Sequence, residues 1–142
     1  MKTLNPNQHA ILMRPAVLLA IILSLPMSAQ AYTAVVEKNA IVEGEVVTGV
    51  QSIGADGTAN YTLIEAAGSQ SVFFKSVSSD ALVKGRQLIL SGTSNRSIIS
   101  AGASQSICTS GVANNTILNG GSQTVQNRNS LANGTVINLN GM

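Results

Sequence analysis

A short unit recurs five times between residues 49 and 125, and it constrains the fold more than any other feature of the sequence. Each copy places a Gly two or three residues before a Gln, and one residue then separates the Gln from an Ile or Val, as in Gly49-Val-Gln51-Ser-Ile53. Self-similarity at a short, fixed period is typical of solenoid proteins. The repeated glutamines, spaced 19, 17, 18 and 18 residues apart, are Gln51, Gln70, Gln87, Gln105 and Gln123.

A second short apolar segment lies between successive glutamines, as in Thr62-Leu-Ile64 and Thr116-Ile-Leu118. Turn-like stretches ending in Asn precede most of these segments, as in Gly57-Thr-Ala-Asn60. Short β-branched runs bounded by Gly, Asn and Ser are typical of strands and their turns. Each unit is therefore predicted to hold a strand, a Gly turn, a second strand and a Gly/Asn turn.

Such a unit cannot bury its apolar face alone, but stacked units can form a continuous core. We therefore predict an all-β fold, a single-stranded parallel β-helix or solenoid of about six short coils, which is clearest over residues 44–142. One buried ladder is expected from Ile53, Val72, Ile89, Ile107 and Val125. A second is expected near Leu63, Leu82, Ile98, Ile117 and Val136, with the choice between adjacent apolar residues left open.

The repeated glutamines allow two interpretations. The favoured one is a stacked amide ladder or a solvated strand position, in which side-chain amides bond along the stack; the other is a ligand-binding row. Two hydroxyl rows accompany them, and both are expected on a polar outer face. They are Ser52, Ser71, Ser106 and Thr124, and Thr62, Ser97, Thr116 and Thr135.

The first 31 residues have the features of a cleaved signal peptide. Lys2 and Arg14 precede a ten-residue apolar run over 16–25, and Ala29-Gln30-Ala31 supplies the small residues of a cleavage site. A membrane-spanning helix needs about 20 apolar residues, so an anchor is the weaker alternative. Residues 1–31 are thus predicted to be a signal peptide, and residues 32–142 the exported solenoid.

The composition of residues 32–142 argues against several functions. Six basic and six acidic residues leave no net charge, which speaks against nucleic acid as a partner. The single His is in the signal region, so no catalytic triad is expected, and one Cys, Cys108, cannot build a multi-thiolate metal site. Glu43 and Glu45 are expected on one strand face because of their i, i+2 spacing, where paired carboxylates could in principle do acid–base work, but a charged edge is the favoured interpretation. We predict no catalytic activity, no cofactor and no metal.

The order Thr-Ile-x-Asn-Gly-Gly-Ser-Gln-Thr-Val over 116–125, with its Gly-x-Ala-Asn stretches, resembles the repeat of AIDA-type autotransporter adhesins. The resemblance covers 44–142. It implies a right-handed β-helical passenger, exported to the cell surface, the outer membrane or the medium of a Gram-negative bacterium. It also implies adhesion to a host or bacterial surface receptor, or self-association. Heptose acceptors in that family would correspond to Thr116, Thr124 and Thr135.

The sequence departs from that family in one respect. Such proteins end in a membrane β-barrel, and none follows Met142, so the sequence predicts a partial passenger, truncated before the translocator barrel. Two alternatives stay open. One is a self-assembling structural surface solenoid, and the other, less favoured, is a glycan-processing β-helix enzyme.

Overall fold

The computed structural model describes residues 31–138, which form a parallel β-solenoid of six coils. Residues 1–30 of the predicted signal peptide, with Ala29 of its cleavage site, lie outside the described residues, and Ala31 is the first described residue. Eighteen strands, three in each coil, build three six-stranded sheets. Sheet A holds β1 (Val35–Val36), β4 (Val50–Ile53), β7 (Ser69–Val72), β10 (Arg86–Leu90), β13 (Ser104–Cys108) and β16 (Ser122–Val125). Sheet B holds β2 (Ile41–Glu43), β5 (Thr58–Asn60), β8 (Val77–Ser79), β11 (Thr93–Asn95), β14 (Val112–Asn114) and β17 (Leu131–Asn133). Sheet C holds β3 (Val46–Val47), β6 (Leu63–Ile64), β9 (Leu82–Val83), β12 (Ile98–Ser100), β15 (Ile117–Asn119) and β18 (Val136–Asn138).

The register of the sheets follows the sequence repeat. Every strand pairs in parallel with its equivalent one coil away, so that Gln87 lies between Gln70 and Gln105. The all-β parallel solenoid and its number of coils are therefore confirmed. Equivalent positions form continuous rows along the stack, and each row faces either the core or the solvent.

The prediction of two strands per unit is wrong, because the stretch assigned to the Gly/Asn turn contains a third strand. In Gly57-Thr-Ala-Asn60 the last three residues form β5, and the equivalent residues of later coils form β11, β14 and β17. These strands were not predicted because their small residues have low β-propensity. Small side chains are nevertheless suited to this position, since Ala59, Ser94 and Ala113 point into the narrow interior and are fully buried.

The chain turns from sheet B to sheet C at a single residue, which directly follows each strand of sheet B. It has a left-handed backbone in every coil, with φ of 56° at Tyr61, 57° at Asp80 and 54° at Arg96. Non-glycine residues seldom adopt this conformation. Here the backbone N–H of the turn residue donates to the next coil, as from Tyr61 to the carbonyl of Ser79 at 2.9 Å. The inter-coil bond thus helps to hold the turn in place.

The first apolar ladder lies where the repeat predicts. Ile53, Val72, Ile89 and Ile107 are fully buried, together with Val36 from the first coil, and Val125 at the last coil is 46% exposed. The second ladder runs through the other residue of each adjacent pair. Its fully buried members on sheet C are Val47, Ile64, Val83 and Ile99, followed by Leu118 at 7% exposure. The structure decides the choice that the sequence left open, and the outward row consists of Leu63, Leu82, Ile98, Ile117 and Val136.

The adjacent residues Ile98 and Ile99 provide a direct test of which row is buried. Ile99→Val should lower the free energy of unfolding by about 1 kcal/mol, because it removes a methylene from a filled core. Ile98→Val on the outer side of the same strand should change it by less than about 0.5 kcal/mol. Both substitutions keep a β-branched side chain, so urea unfolding compares burial alone. A larger loss from Ile98→Val would contradict the assignment.

Candidate functional site

The five repeated glutamines form an amide ladder inside the solenoid. Gln51, Gln70, Gln87 and Gln105 are at most 1% exposed. From Gln70 onward, each Nε2 donates to the glutamine Oε1 of the preceding coil, at 2.8 Å from Gln70 to Gln51, 2.9 Å from Gln87 to Gln70 and 2.7 Å from Gln105 to Gln87. Gln123, which is half-buried, extends the ladder with a bond of 2.7 Å to Gln105. The buried rungs present no polar group to an external ligand.

Hydroxyl groups from the other two sides of the interior satisfy the remaining acceptor capacity of the ladder. Ser78 of sheet B donates to Gln70 Oε1 at 2.9 Å. Ser97 donates to Gln87 Oε1 and Thr116 to Gln105 Oε1, both at 3.2 Å. Buried amides cost little only when both their donors and acceptors are paired. This polar spine separates two apolar clusters, one containing the Ile89 row and the other the Ile99 row.

The expectation that both hydroxyl rows lie on the outer face is wrong for one of them. Thr62, Ser97 and Thr116 are at most 1% exposed, and their row faces the interior. Thr135 continues that row half-buried and donates to Gln123 Oε1 at 2.8 Å. Thr116, one of the three residues matched to glycosylation acceptors, is therefore enclosed in the folded solenoid. Thr124 belongs to the other row and is exposed.

Glu45 closes the N-terminal end of the ladder. It lies in the same row as Thr62, since Val46 pairs with Leu63. Its Oε2 accepts from Gln51 Nε2 at 2.6 Å, and its Oε1 accepts from the Thr33 hydroxyl at 2.6 Å. A carboxylate suits this end because both facing groups are donors. Extending the hydroxyl row back by one coil from Thr62 would have located Glu45 from the sequence.

The expected common face of Glu43 and Glu45 does not form. The left-handed turn at Gly44, φ 65°, separates them, and Glu43 remains on the exposed outside of sheet B. There its Oε1 accepts from Asn60 Nδ2 at 3.4 Å. The two carboxylates thus have different partners and are not arranged as an acid–base pair across a shared site.

The outer face of sheet A carries the densest group of accessible hydroxyls. In-register pairing aligns one row at the start of the strands and a second row two residues later. Neighbouring parallel strands place such groups about 4.8 Å apart. Their members are Ser69, Ser104 and Ser122 in the first row and Ser52, Ser71, Ser106 and Thr124 in the second. Arg86 and Leu88 of β10 interrupt both rows.

A further amide ladder lies on the outside of sheet B and was not anticipated from the sequence. Asn114 Nδ2 donates to Asn95 Oδ1, and Asn133 Nδ2 to Asn114 Oδ1, both at 3.0 Å. The same asparagines end the Gly-x-Ala-Asn stretches. Their recurrence at one spacing was the available signal, but it was interpreted as turn formation.

Asp80 and Arg96 join adjacent coils at the turn between sheets B and C. The guanidinium donates to both carboxylate oxygens at 2.7 Å. The hydrogen bonds and charge of Arg96 hold the pKa of Asp80 below its usual value, and partial desolvation opposes this shift. The pair fixes two consecutive left-handed turn residues relative to each other.

The Asp80 pair should make stability depend on acid pH. Because the folded-state pKa of Asp80 is lower than that of an unfolded Asp, about 3.9, the pair stabilises the fold above that pH. This contribution is lost as the pH falls through the folded-state pKa. Between about pH 5 and about pH 2 the urea midpoint should fall further in the natural protein than in Asp80→Asn or Arg96→Gln. Parallel pH profiles of all three proteins would contradict this.

The remaining candidate residues have structural surroundings. Cys108 is half-exposed, with its Sγ 3.6 Å from Gln126 Oε1. Asp56 occupies a left-handed turn position, φ 59°. Within residues 31–138 no three His, Cys, Asp or Glu side chains gather as they would around a metal ion. In the same range, no helix is long and apolar enough to cross a membrane.

Comparison with known proteins finds similarity in fold but none in sequence. No family model matches the sequence. No curated protein matches it either. The fold is similar to that of a solved TibA fragment, described as hyper-glycosylated in a reaction catalysed by TibC, with a TM-score of 0.56 and 20% identity. The match covers 75% of this chain and 43% of that one, so the chain spans less than half of the TibA fragment. The two chains share the parallel β-solenoid fold.

Proposed function

We propose that this chain is the adhesin-like solenoid of an AIDA-type passenger, exported to the surface or surroundings of a Gram-negative bacterium. In this role it mediates adhesion or self-association and performs no catalysis. The observation that supports this proposal is the outer face of sheet A, where the hydroxyl rows form a flat, accessible polar array. The buried glutamines, in contrast, are hydrogen-bonded to one another and to inner hydroxyls. The fold shared with the TibA fragment and the signal peptide predicted from the sequence support this assignment.

The proposed mechanism is display of a rigid repetitive surface. Inter-coil bonding fixes the hydroxyls at one spacing, so a repetitive partner can be contacted at several coils at once. Each contact is weak, but simultaneous contacts can raise apparent affinity by about 10² to 10⁴. The partner is a receptor on a host or bacterial cell, or a second molecule of the same chain.

We further propose that the outer hydroxyl rows carry glycan. The solved TibA fragment is glycosylated. In this chain the accessible acceptors are the residues of sheet A's outer face, among them Ser71, Ser106 and Thr124, whereas Thr116 is enclosed. After co-expression with TibC, peptide mass spectrometry should find sugar on the outer rows and none on Thr116. Sugar on Thr116, or none on the outer rows, would contradict this proposal.

Adhesion is tested with the full chain coupled to beads. Coated beads should bind cells or aggregate with each other, and uncoated beads should not. Replacing the second hydroxyl row (Ser52→Ala, Ser71→Ala, Ser106→Ala and Thr124→Val) should abolish this behaviour. The matched control removes four outer hydroxyls from the other two sheets (Thr58→Val, Ser79→Ala, Thr93→Val and Ser100→Ala). No adhesion by the natural chain, or equal loss in both variants, would overturn the proposal.

A further inference from the structure

One coil interrupts the hydroxyl face of sheet A with apolar and basic side chains. Strand β10 presents Arg86, Leu88 and Leu90 outward. Arg86 pairs with Ser69 and Ser104, and Leu88 with Ser71 and Ser106. Serine occupies the equivalents of Arg86 and Leu88 in both neighbouring coils, so these two departures give the middle of the face a different chemistry.

Both phenylalanines of the chain lie in the neighbouring coil, beside the C-terminal end of β10. Phe73 and Phe74 follow β7, and because Val72 pairs with Ile89, Phe73 lies beside Leu90. Their exposed fractions are 39% and 59%. Neither ring enters the two core clusters. Contiguous exposed apolar groups of this kind mark interaction sites more often than isolated ones do.

A cation lies at each end of the apolar group. Lys75 places its Nζ 5.2 Å from the centre of the Phe74 ring, and Arg86 begins β10 at the opposite end. The ion pairs among residues 31–138 are formed by Lys38, Lys84 and Arg96 with Asp56, Glu65 and Asp80. Lys75 and Arg86 take part in none of them. The surface therefore has an apolar centre and two cations free to meet anions.

A second copy of this chain does not suit the surface. Face-to-face pairing about a two-fold axis that superposes the apolar centres would bring cationic ends together, and like charges across an interface are costly. The face is also a flat sheet with projecting rings, and a phospholipid surface offers phosphates above an apolar layer. In interfacial amphipathic helices, Phe and Leu enter this boundary while Lys and Arg attract anionic lipids, and this sheet face presents the same residue types.

We propose that these six residues form a lipid-docking patch that holds the solenoid against an anionic phospholipid surface. The patch consists of Phe73, Phe74, Lys75, Arg86, Leu88 and Leu90. The rings enter the boundary between headgroups and acyl chains, and the two cations contact phosphates. Attraction of basic residues to anionic membranes adds to apolar insertion and depends on lipid composition. The hydroxyl rows on either side of the patch face the headgroups.

Site-specific fluorescence tests the patch in the full chain. The protein contains no Trp, so Phe74→Trp introduces a single reporter. Its emission should shift to shorter wavelength with vesicles of equal parts phosphatidylcholine and phosphatidylglycerol, and shift less with phosphatidylcholine alone. Leu82→Trp, on the outer face of sheet C, is the matched control and should not shift. Absence of the Phe74→Trp shift overturns the proposal, even if the N-terminal residues bind the vesicles.

Vesicle co-sedimentation provides the second measurement. Phe73→Ser with Phe74→Ser should reduce binding at least about tenfold, because two apolar rings no longer insert. Lys75→Gln with Arg86→Gln should remove the preference for phosphatidylglycerol, and Ile41→Ser with Leu82→Ser should change nothing. A shift produced by soluble dextran sulfate but not by vesicles would identify an anionic polymer as the partner and overturn lipid docking. The variant with both phenylalanines replaced keeps the second hydroxyl row intact. The result of the bead adhesion test is therefore independent of the result of the vesicle test.

Discussion

Replacing Gln87 by glutamate should lower the free energy of unfolding by about 4 kcal/mol at neutral pH, since it leaves an unpaired charge in the interior. Gln87 is 1% exposed. Its Nε2 donates to Gln70 Oε1 at 2.9 Å and to Ser78 Oγ at 3.1 Å. Glutamate would place an oxygen against the Gln70 oxygen and lose both of these donated bonds at the centre of the ladder. Urea unfolding of the variant and the natural protein measures the loss.

The pH dependence of this loss separates buried charge from simple misfit. Burial raises the pKa of a carboxyl group, because it disfavours the charged form. As the pH falls through that raised pKa, the glutamic acid at position 87 regains an O–H donor toward Gln70. The deficit relative to the natural protein should therefore shrink in mildly acidic buffer. A deficit that does not change with pH would mean that shape, and not charge, is responsible.

Gln123→Glu is the matched control for position 87. Gln123 makes the same bond to the preceding rung, at 2.7 Å, but it is half-buried, so solvent can screen the new charge. Its loss should be less than half of that at position 87. Glu45 shows that the ladder accepts a carboxylate where all facing groups are donors. Equal losses at positions 87 and 123 would contradict the role assigned to burial.

The sequence predicts the parts of this fold that depend on the repeat period. In a parallel stack each residue meets its equivalent one coil away, so aligning the glutamines also aligns Ile89 with Val72 and Ile107. The parallel pairing, the number of coils and the first apolar ladder all follow from that alignment. No property of the isolated unit is needed to derive them.

The features that could not be predicted from the sequence depend on packing within one coil, which the repeat period does not describe. Ala59 and Ser94 have low strand propensity, yet the coils above and below supply hydrogen bonds that make these stretches strands. Leu63 and Ile64 are both apolar, and only the left-handed turn at Tyr61 determines which of them faces inward. The equivalent left-handed turn at Asn115 directs Thr116 into the core. The position of this turn cannot be recognised in the sequence, because Gly, Tyr, Asp, Arg and Asn all occupy it in different coils.

Gly85→Ala should lower the free energy of unfolding of the solenoid by about 3 kcal/mol or more. The added carbon can be accommodated only if the close-packed backbone of the neighbouring coil moves. Gly85 is buried where the chain passes from sheet C to sheet A, and a Cβ there would overlap the carbonyl oxygens of Gly68 and Glu65.

Gly54→Ala is the matched control for the Gly85 substitution. Its Cβ would lie 3.1 Å from the Val36 oxygen, and neither glycine has a positive φ. Restricting the unfolded chain should therefore favour both variants equally, by about 0.4–1 kcal/mol. The Gly54 variant should stay within about 1 kcal/mol of the natural protein in urea unfolding, because only a small displacement is needed there. If the two variants lose the same amount of stability, close approach of successive coils at Gly85 is not what requires glycine at that position.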